Sequence, residues 1–130
     1  MIVDTSAIIA VLRDESDADE LVTLMVKAPT CRISVANYVE AAIVTDSNKN
    51  PVLSRRFNDL LRDLSMQTEA VTVAQAEIAR QAYRDFGKGR HKAGLNFGDC
   101  FAYALAKEKD EPLLFKGDDF RHTDIEVAMR

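Results

Sequence analysis

Short apolar runs alternate with longer amphipathic segments along this chain, and this alternation limits most strongly the folds that it can adopt. Four runs are short enough to be buried strands, and they cover residues 1–4, 31–35, 69–73 and 112–115. The segments between them carry apolar residues at helical spacing. Strands that alternate with helices are typical of a parallel sheet covered on both faces. The sequence therefore predicts an α/β fold, a three-layer α/β/α domain with a central parallel sheet of four to five strands.

Length and charge narrow the class of protein further. The chain has 130 residues, of which 47% are apolar, and this suits one domain, residues 1–130, with one core. Its formal net charge of −4 argues against a protein that binds nucleic acid through its overall field. The apolar runs are shorter than the roughly 18 residues of a membrane span, and residues 1–4 lack the basic region of a secretory signal. We expect a protein without membrane contact that acts in the cytoplasm.

Polar residues and one glycine mark the predicted ends of several helices. Residues 16–19 resemble a capping box, Thr72 and Gln75 form a second box, and Asn96 can cap the last long helix. Gly87 stands where a helix commonly ends on a glycine. The glycine-punctuated segment that follows, residues 88–94, is predicted to be a loop.

Acidic residues follow the predicted strands or lie in the helices after them. Asp4 closes the first strand, Glu40 lies in the helix after the second, and Asp99 lies in the first turn of a later helix. The fourth strand is followed by the pair Asp118 and Asp119. In open parallel sheets the binding crevice lies beyond the carboxyl ends of the strands. We therefore expect these carboxylates to meet at one edge of the sheet.

Each acid alone also has an ordinary structural explanation. Asp4 can cap the first helix, Asp99 can interact with a helix dipole, and the pair Asp118 and Asp119 can form a solvated turn. Glu40 and Asp99, however, sit in apolar stretches, where an unpaired carboxylate is costly. A cluster of oxygen ligands suits Mg²⁺, or Mn²⁺, whereas the histidines and cysteines lack the spacing of a zinc site. The sequence predicts a Mg²⁺ site held by these acids.

A Mg²⁺ site held by carboxylates in a crevice is typical of phosphodiester or phosphoryl chemistry, because the ion can activate a water as the nucleophile. Ser6 is a candidate donor to a ligand carboxylate, or alternatively a hydroxyl that only caps a helix. Lys88, Arg90 and Lys92 lie in the basic loop before Asp99, and they are candidate contacts to the phosphates of a nucleic acid. The alternative interpretation of that loop is a solvated helix end.

Four segments carry a pattern that matches a known family. They are residues 2–7 (Ile-Val-Asp-Thr-Ser-Ala), Glu40, residues 95–104 (Leu-Asn-Phe-Gly-Asp-Cys-Phe-Ala-Tyr-Ala) and residues 113–120 (Leu-Leu-Phe-Lys-Gly-Asp-Asp-Phe). In this order and spacing the segments resemble the PIN-domain ribonucleases, and more closely the VapC-type toxins of bacterial toxin–antitoxin pairs. The likeness runs from Met1 to about Asp124. One departure is Phe115, since many PIN domains carry a Thr or Ser after the fourth strand.

The resemblance implies a PIN-like fold and a Mg²⁺-dependent endoribonuclease that is the toxin of a type II toxin–antitoxin pair. It implies that Asp4, Glu40 and Asp99 hold the metal together with one acid of the later pair. We prefer Asp119 for that fourth position, because it directly precedes Phe120 as in similar toxins. The implied substrate is structured RNA, with transfer RNA as one candidate. The family further implies a homodimer inhibited by a cognate VapB-type antitoxin, whose C-terminal segment fills the acidic crevice.

Two other classes of protein stay open at this point. A Mg²⁺-binding signalling module of the receiver type also gathers acids at strand ends, but it needs a phosphoacceptor aspartate that closes a middle strand. Asp46 is the nearest candidate, and it is predicted to lie in a polar loop after a helix. A non-catalytic interaction subunit would keep the fold without binding a divalent ion.

Overall fold

The computed structural model describes residues 1–129, which contain one four-stranded sheet. The strands are β1 (Ile2–Val3), β2 (Arg32–Ser34), β3 (Gln67–Glu69) and β4 (Leu113–Leu114). All neighbouring strands are parallel, in the order β3-β2-β1-β4. Ile2 is in register with Arg32 on one side and with Leu113 on the other. The predicted parallel sheet of four to five strands is confirmed.

Two helices separate each strand from the next along the chain. The helices are α1 (Thr5–Leu12), α2 (Ala18–Lys27), α3 (Val35–Asp46), α4 (Pro51–Asp63), α5 (Val73–Phe86) and α6 (Phe97–Lys109). A 3-10 turn, Asp119–His122, follows β4. Within residues 1–129, none of these helices combines the length and the apolarity that crossing a bilayer requires.

The two faces of the sheet are covered by separate apolar clusters. Ile2 and Leu113 point to one face and pack with side chains of α5 and α6, whereas Val3 and Leu114 pack with α1 to α4 on the other. Successive residues of a strand point to opposite faces, so a strand of two apolar residues serves both clusters. All four of these side chains are fully buried. This arrangement confirms the predicted three layers.

The strand order changes direction beside β1. The chain leaves β1 toward β2 and β3, and it later returns to the opposite side of β1 as β4. Such a switch point is where open α/β sheets form their binding crevices, at the carboxyl ends of the strands. Asp4 follows β1 directly, and its backbone nitrogen donates to the carbonyl of Leu114 at 2.9 Å. The fold therefore brings the end of β1 and the end of β4 together.

The third strand lies earlier in the chain than the sequence predicts. Residues 69–73 are the predicted strand, but β3 covers Gln67–Glu69 and Val73 already belongs to α5. The physical reason is the cap at Thr72, whose Oγ1 accepts a hydrogen bond from the backbone nitrogen of Gln75 at 3.1 Å. An N-terminal cap of this kind sets where a helix begins, and it overrides the strand preference of Val73.

One predicted helix start is wrong in detail, and one predicted helix end is confirmed. The capping box at residues 16–19 does not form, because Asp17 precedes α2 without a capping hydrogen bond and instead pairs with Lys116 Nζ at 3.0 Å. Gly87 ends α5 as predicted, with a φ of −68°. A side chain at Gly87 would overlap Tyr83, so the glycine allows a close approach and a parallel bridge to Leu95.

The full burial of Leu113 in β4 generates a stability prediction. Leu113→Ala should lower the free energy of unfolding by about 2–5 kcal/mol, because it opens a cavity in a fully buried cluster. Val26→Ala is the matched control, since Val26 is 67% exposed on α2 and should change the same quantity by less than about 0.5 kcal/mol. Urea unfolding followed by circular dichroism measures both. Equal losses in the two variants would contradict the assignment of Leu113 to the core.

Candidate functional site

An open crevice lies at the switch point of the sheet. It has a volume of about 420 Å³. Its lining comes from α1, α3, α6 and the segments that follow β1 and β4. The lining residues are Asp4, Thr5, Ser6, Ile9, Arg13, Glu15, Glu40, Val44, Asn96, Asp99 and Lys116. Three of the acids predicted from the sequence, Asp4, Glu40 and Asp99, thus share one crevice.

Asp4 is held by the helix that it caps. Its Oδ2 accepts hydrogen bonds from the backbone nitrogen of Ser6 at 3.0 Å and from Ser6 Oγ at 2.6 Å. The ordinary explanation of Asp4 as a helix cap is therefore confirmed, yet it uses only one carboxylate oxygen. The other, Oδ1, is buried and has no hydrogen-bond partner within residues 1–129. The side chain is only 3% exposed, and burial raises the pKa of Asp4 to about 6.

Ser6 connects the beginning of α1 to the end of β4. Its hydroxyl donates to Asp4 and accepts a hydrogen bond from the backbone nitrogen of Lys116 at 2.9 Å. The hydroxyl therefore orients the Asp4 carboxylate while fixing the segment after β4. Of the two interpretations of Ser6 from the sequence, the donor to this carboxylate is the contact that occurs in the structure, whereas the cap of α1 is Asp4.

Asp99 sits in the first turn of α6 within a complete capping box. Asn96 Oδ1 accepts from the backbone nitrogen of Asp99 at 2.9 Å, and Asp99 Oδ2 accepts from that of Asn96 at 3.0 Å. The pKa of Asp99 is raised to about 7, mainly by burial and in smaller part by the negative charges of Asp4, Asp119 and Glu40. The other three carboxylates are thus close enough to Asp99 for each of them to disfavour its ionisation.

Glu40 reaches the crevice from α3 and is held by two donors. Its Oε1 accepts hydrogen bonds from Thr5 Oγ1 at 2.5 Å and from Asn37 Nδ2 at 3.4 Å. Its carboxylate also lies against Gly98 in the first turn of α6. Glu40 therefore contacts residues that are next to Asp4 and next to Asp99 in the chain.

The two acids after β4 differ in their surroundings. Asp118 Oδ2 contacts His122 Nε2 at 2.7 Å and is largely exposed. Asp119 begins the 3-10 turn, and its charge contributes to the raised pKa of Asp99. Neither residue lines the crevice. Within residues 1–129 no three His, Cys, Asp or Glu side chains already form a group that could hold a metal ion.

The cations of the crevice are not the ones that the sequence singled out. Arg13 and Lys116 line it, whereas Lys88, Arg90 and Lys92 are exposed on the loop after α5 and do not. The Arg90 guanidinium lies 5.3 Å from the centre of the Tyr83 ring instead. A basic run in the sequence reports local charge density, but it does not report which way the loop turns.

Sequence reasoning also missed Thr5, Asn37 and Gly98 as parts of the site. Asn37 is fully buried, and its Nδ2 donates to the carbonyl of Gly98 at 2.9 Å. One signal was available, because Asn37 is a polar residue next to the apolar residues of α3 and a buried amide needs hydrogen-bond partners. The partners themselves come from distant segments, so the sequence could not supply them.

Comparison with known proteins gives one consistent family. The PIN domain family model matches residues 1–126. Ribonuclease VapC28 of Mycobacterium tuberculosis is 52% identical over 130 residues, which cover 99% of this chain and 98% of that protein. Ribonuclease VapC of Mycolicibacterium smegmatis is 49% identical over 125 residues, which cover 96% of this chain and 97% of that protein.

Solved structures agree at the level of the fold. Mycobacterium tuberculosis VapC20, described as a sarcin–ricin loop cleaving toxin, matches with a TM-score of 0.73 at 17% identity over 95% of each chain. VapBC2 from Rickettsia felis, bound to a DNA fragment from their promoter, matches with a TM-score of 0.74 at 11% identity. That match covers 97% of this chain and 95% of the other. With the sequence matches over nearly its whole length, this chain belongs to the PIN domain family.

Proposed function

We propose that this chain is a Mg²⁺-dependent endoribonuclease and the toxin of a type II toxin–antitoxin pair. The observation that carries the proposal is the meeting of Asp4, Glu40 and Asp99 at one crevice, where Asp4 and Asp99 have raised pKa values. The names of the relatives at about 50% identity, which are VapC ribonucleases, support the same activity. Asp119 is proposed as the fourth acid, with Asp118 as the alternative.

The residues of the crevice fit a hard divalent cation. Asp4 Oδ1 is a buried acceptor without a partner among residues 1–129, and such an oxygen is costly unless something neutralises or coordinates it. The nearby acids offer oxygen ligands only, which Mg²⁺ and Mn²⁺ prefer. Mutual repulsion among these carboxylates disfavours their ionised forms, and a cation removes that penalty.

The proposed chemistry is hydrolysis of an RNA phosphodiester bond. A bound Mg²⁺ would supply Lewis acidity for water activation and would neutralise negative charge that develops on the phosphoryl and leaving oxygens. Ser6 fixes the orientation of the Asp4 carboxylate, and Thr5 fixes that of Glu40. Arg13 and Lys116 line the crevice and supply positive charge toward which a phosphate is attracted.

The proposed substrate is structured RNA, with transfer RNA as one candidate. One structural neighbour is described as a toxin that cleaves the sarcin–ricin loop, and this supports a folded RNA as the class of substrate. Lys88, Arg90 and Lys92 are proposed to contact phosphates away from the crevice, since all three are exposed. Such contacts position the RNA without reading its sequence.

The proposed partners are a VapB-type antitoxin and a second copy of the chain. An acidic crevice would accept a cationic side chain of the antitoxin, and one neighbouring structure is a toxin–antitoxin complex from Klebsiella pneumoniae. Exposed apolar side chains at Val39, Ile43 and Phe97 support a homodimer, because apolar surface of this kind favours association. We propose one domain, residues 1–130, that acts in the cytoplasm.

Asp46 does not meet the requirement of the receiver-type alternative. Asp46, the nearest candidate phosphoacceptor, is the last residue of α3 and accepts a hydrogen bond from Ser54 Oγ at 2.7 Å. A phosphoacceptor that closes a middle strand is what that mechanism needs. The non-catalytic alternative predicts that no divalent ion binds, and the experiments below test that outcome.

Removal of one central carboxylate should abolish cleavage without unfolding the protein. Asp99→Asn or Asp4→Asn should lower the rate of Mg²⁺-dependent RNA cleavage by at least about a hundredfold, because a metal ion contributes several kcal/mol to such reactions. Asp63→Asn is the control, since Asp63 is exposed at the end of α4. Gel analysis of purified protein on total RNA measures the rate. Full cleavage by Asp99→Asn, in a preparation free of host nuclease, would refute the proposal.

The raised pKa values predict how metal-free protein responds to pH. Both acids have folded-state pKa values above their ordinary 3.8, about 6 for Asp4 and about 7 for Asp99, so protonation favours the folded state. This stabilisation is complete below about pH 4 and is lost as pH rises through 6 to 7. For Asp4 alone the difference corresponds to about 3 kcal/mol. The free energy of unfolding in EDTA should therefore fall between about pH 4 and pH 7.

Urea unfolding at several pH values measures this response. Asp4→Asn and Asp99→Asn should each flatten the decline, because an amide does not ionise. Excess Mg²⁺ should reduce it in the unmodified protein, since the ion favours the carboxylate forms. A decline of equal size in the variants, or one that Mg²⁺ does not change, would count against a shared cation site.

The exposed basic loop generates a binding prediction. In the Asp99→Asn background, Lys88→Ala and Arg90→Ala should each weaken RNA binding and lower the slope of log affinity against log salt by about one per phosphate contact. Lys27→Ala is the control, since Lys27 is exposed at the end of α2. Filter binding at several salt concentrations supplies the slopes. Slopes that match the control would remove the loop from the RNA interface.

A further inference from the structure

Glu40 is fixed by residues that neighbour Asp4 and Asp99 in the chain. Thr5, which donates to Glu40 Oε1, directly follows Asp4. Gly98, whose backbone lies against the Glu40 carboxylate, directly precedes Asp99. The position of the Glu40 carboxylate therefore depends on the two chain segments that carry Asp4 and Asp99.

Asn37 joins these segments from one turn earlier on α3. Its Nδ2 donates to the carbonyl of Gly98 at 2.9 Å and lies 3.4 Å from Glu40 Oε1. The side chain is fully buried, so its amide cannot exchange these contacts for water. A single amide thus ties the helix that carries Glu40 to the first turn of the helix that carries Asp99.

The absence of a side chain at Gly98 leaves room for the Glu40 carboxylate. Gly98 is buried in the first turn of α6 with an ordinary helical backbone, where intrinsic propensity favours alanine over glycine. A Cβ at this position would overlap the Glu40 carboxylate. The backbone conformation does not require glycine here, whereas the neighbouring carboxylate does.

We propose that Gly98, Asn37 and Thr5 are positioning residues that fix the carboxylate of Glu40 beside Asp4 and Asp99. Thr5 and Asn37 hold Oε1 by hydrogen bonds, and Gly98 leaves the space that the carboxylate occupies. This inference rests on the proposed function, because the fixed carboxylate is one of the proposed ligands of the cation. It adds three residues that act through Glu40 rather than on the RNA.

The first test uses metal-free protein and does not depend on activity. Gly98→Ala should lower the melting temperature in the unmodified background, because the new methyl group displaces Glu40. In the Glu40→Ala background the same change should raise the melting temperature or leave it unaltered, because the space is then free and helix propensity decides. Equal shifts in both backgrounds would show that Gly98 and Glu40 are not coupled, and this would overturn the proposal.

The second test measures binding of Mn²⁺ by calorimetry. Gly98→Ala and Thr5→Val should each weaken Mn²⁺ affinity by about 10- to 100-fold, the usual effect of losing a group that orients a ligand. Thr5→Ser keeps the hydroxyl and should restore most of the affinity. Unchanged affinity in both Gly98→Ala and Thr5→Val would contradict the positioning role.

The two tests separate this inference from the proposed function. If the unmodified protein binds no Mn²⁺ and cleaves no RNA, the proposed function fails. The melting temperatures still decide whether Gly98 fixes Glu40. If the unmodified protein binds Mn²⁺ but Gly98→Ala shifts the melting temperature equally with and without Glu40, the function stands and the positioning role fails.

Discussion

The burial of carboxylates that lie close to one another in the crevice is the constraint on which the rest of this structure depends. Asp4 is almost fully buried, and burial is the main reason that its pKa lies well above the ordinary value. Asp99 has the same main cause and adds the negative charges of its three acidic neighbours. A fold that gathers acids in this way is under electrostatic strain unless protons or a cation relieve it. The proposed cation resolves that strain and supplies the chemistry at the same point.

Local structure and function use the same side chains here. Asp4 caps α1 with one oxygen and keeps the other without a partner, while Asp99 completes the capping box of α6. Each cap fixes a carboxylate at the start of a helix, where the backbone is rigid and the aspartate side chain is short. The parallel sheet then brings both helix starts to its switch point. The acids are therefore positioned by helix starts and strand order, before any contact among the acids is considered.

The parts of this account that the sequence could predict depend on local pattern. The alternation of apolar runs and helices predicts the three layers, and the strand end at Asp4 together with the helix start at Asp99 predicts that these two acids meet. At residues 69–73 two local patterns conflict, and the predicted cap at Thr72 begins α5 where the apolar residues suggest a strand. The fixing of Glu40 by Thr5 and Gly98 depends on contacts between segments 35 or more residues apart, which one sequence does not reveal. The direction of the basic loop that carries Lys88 likewise depends on tertiary structure, which one sequence does not reveal.

The most direct measurement of the central claim is anomalous X-ray diffraction from crystals of the unmodified protein soaked in Mn²⁺. A cation site shared by these acids predicts an anomalous peak in the crevice, within about 2–2.5 Å of carboxylate oxygens of Asp4 and Asp99. A well-diffracting soaked crystal with no peak near these oxygens would contradict it. A peak only on exposed surface acids would contradict it equally.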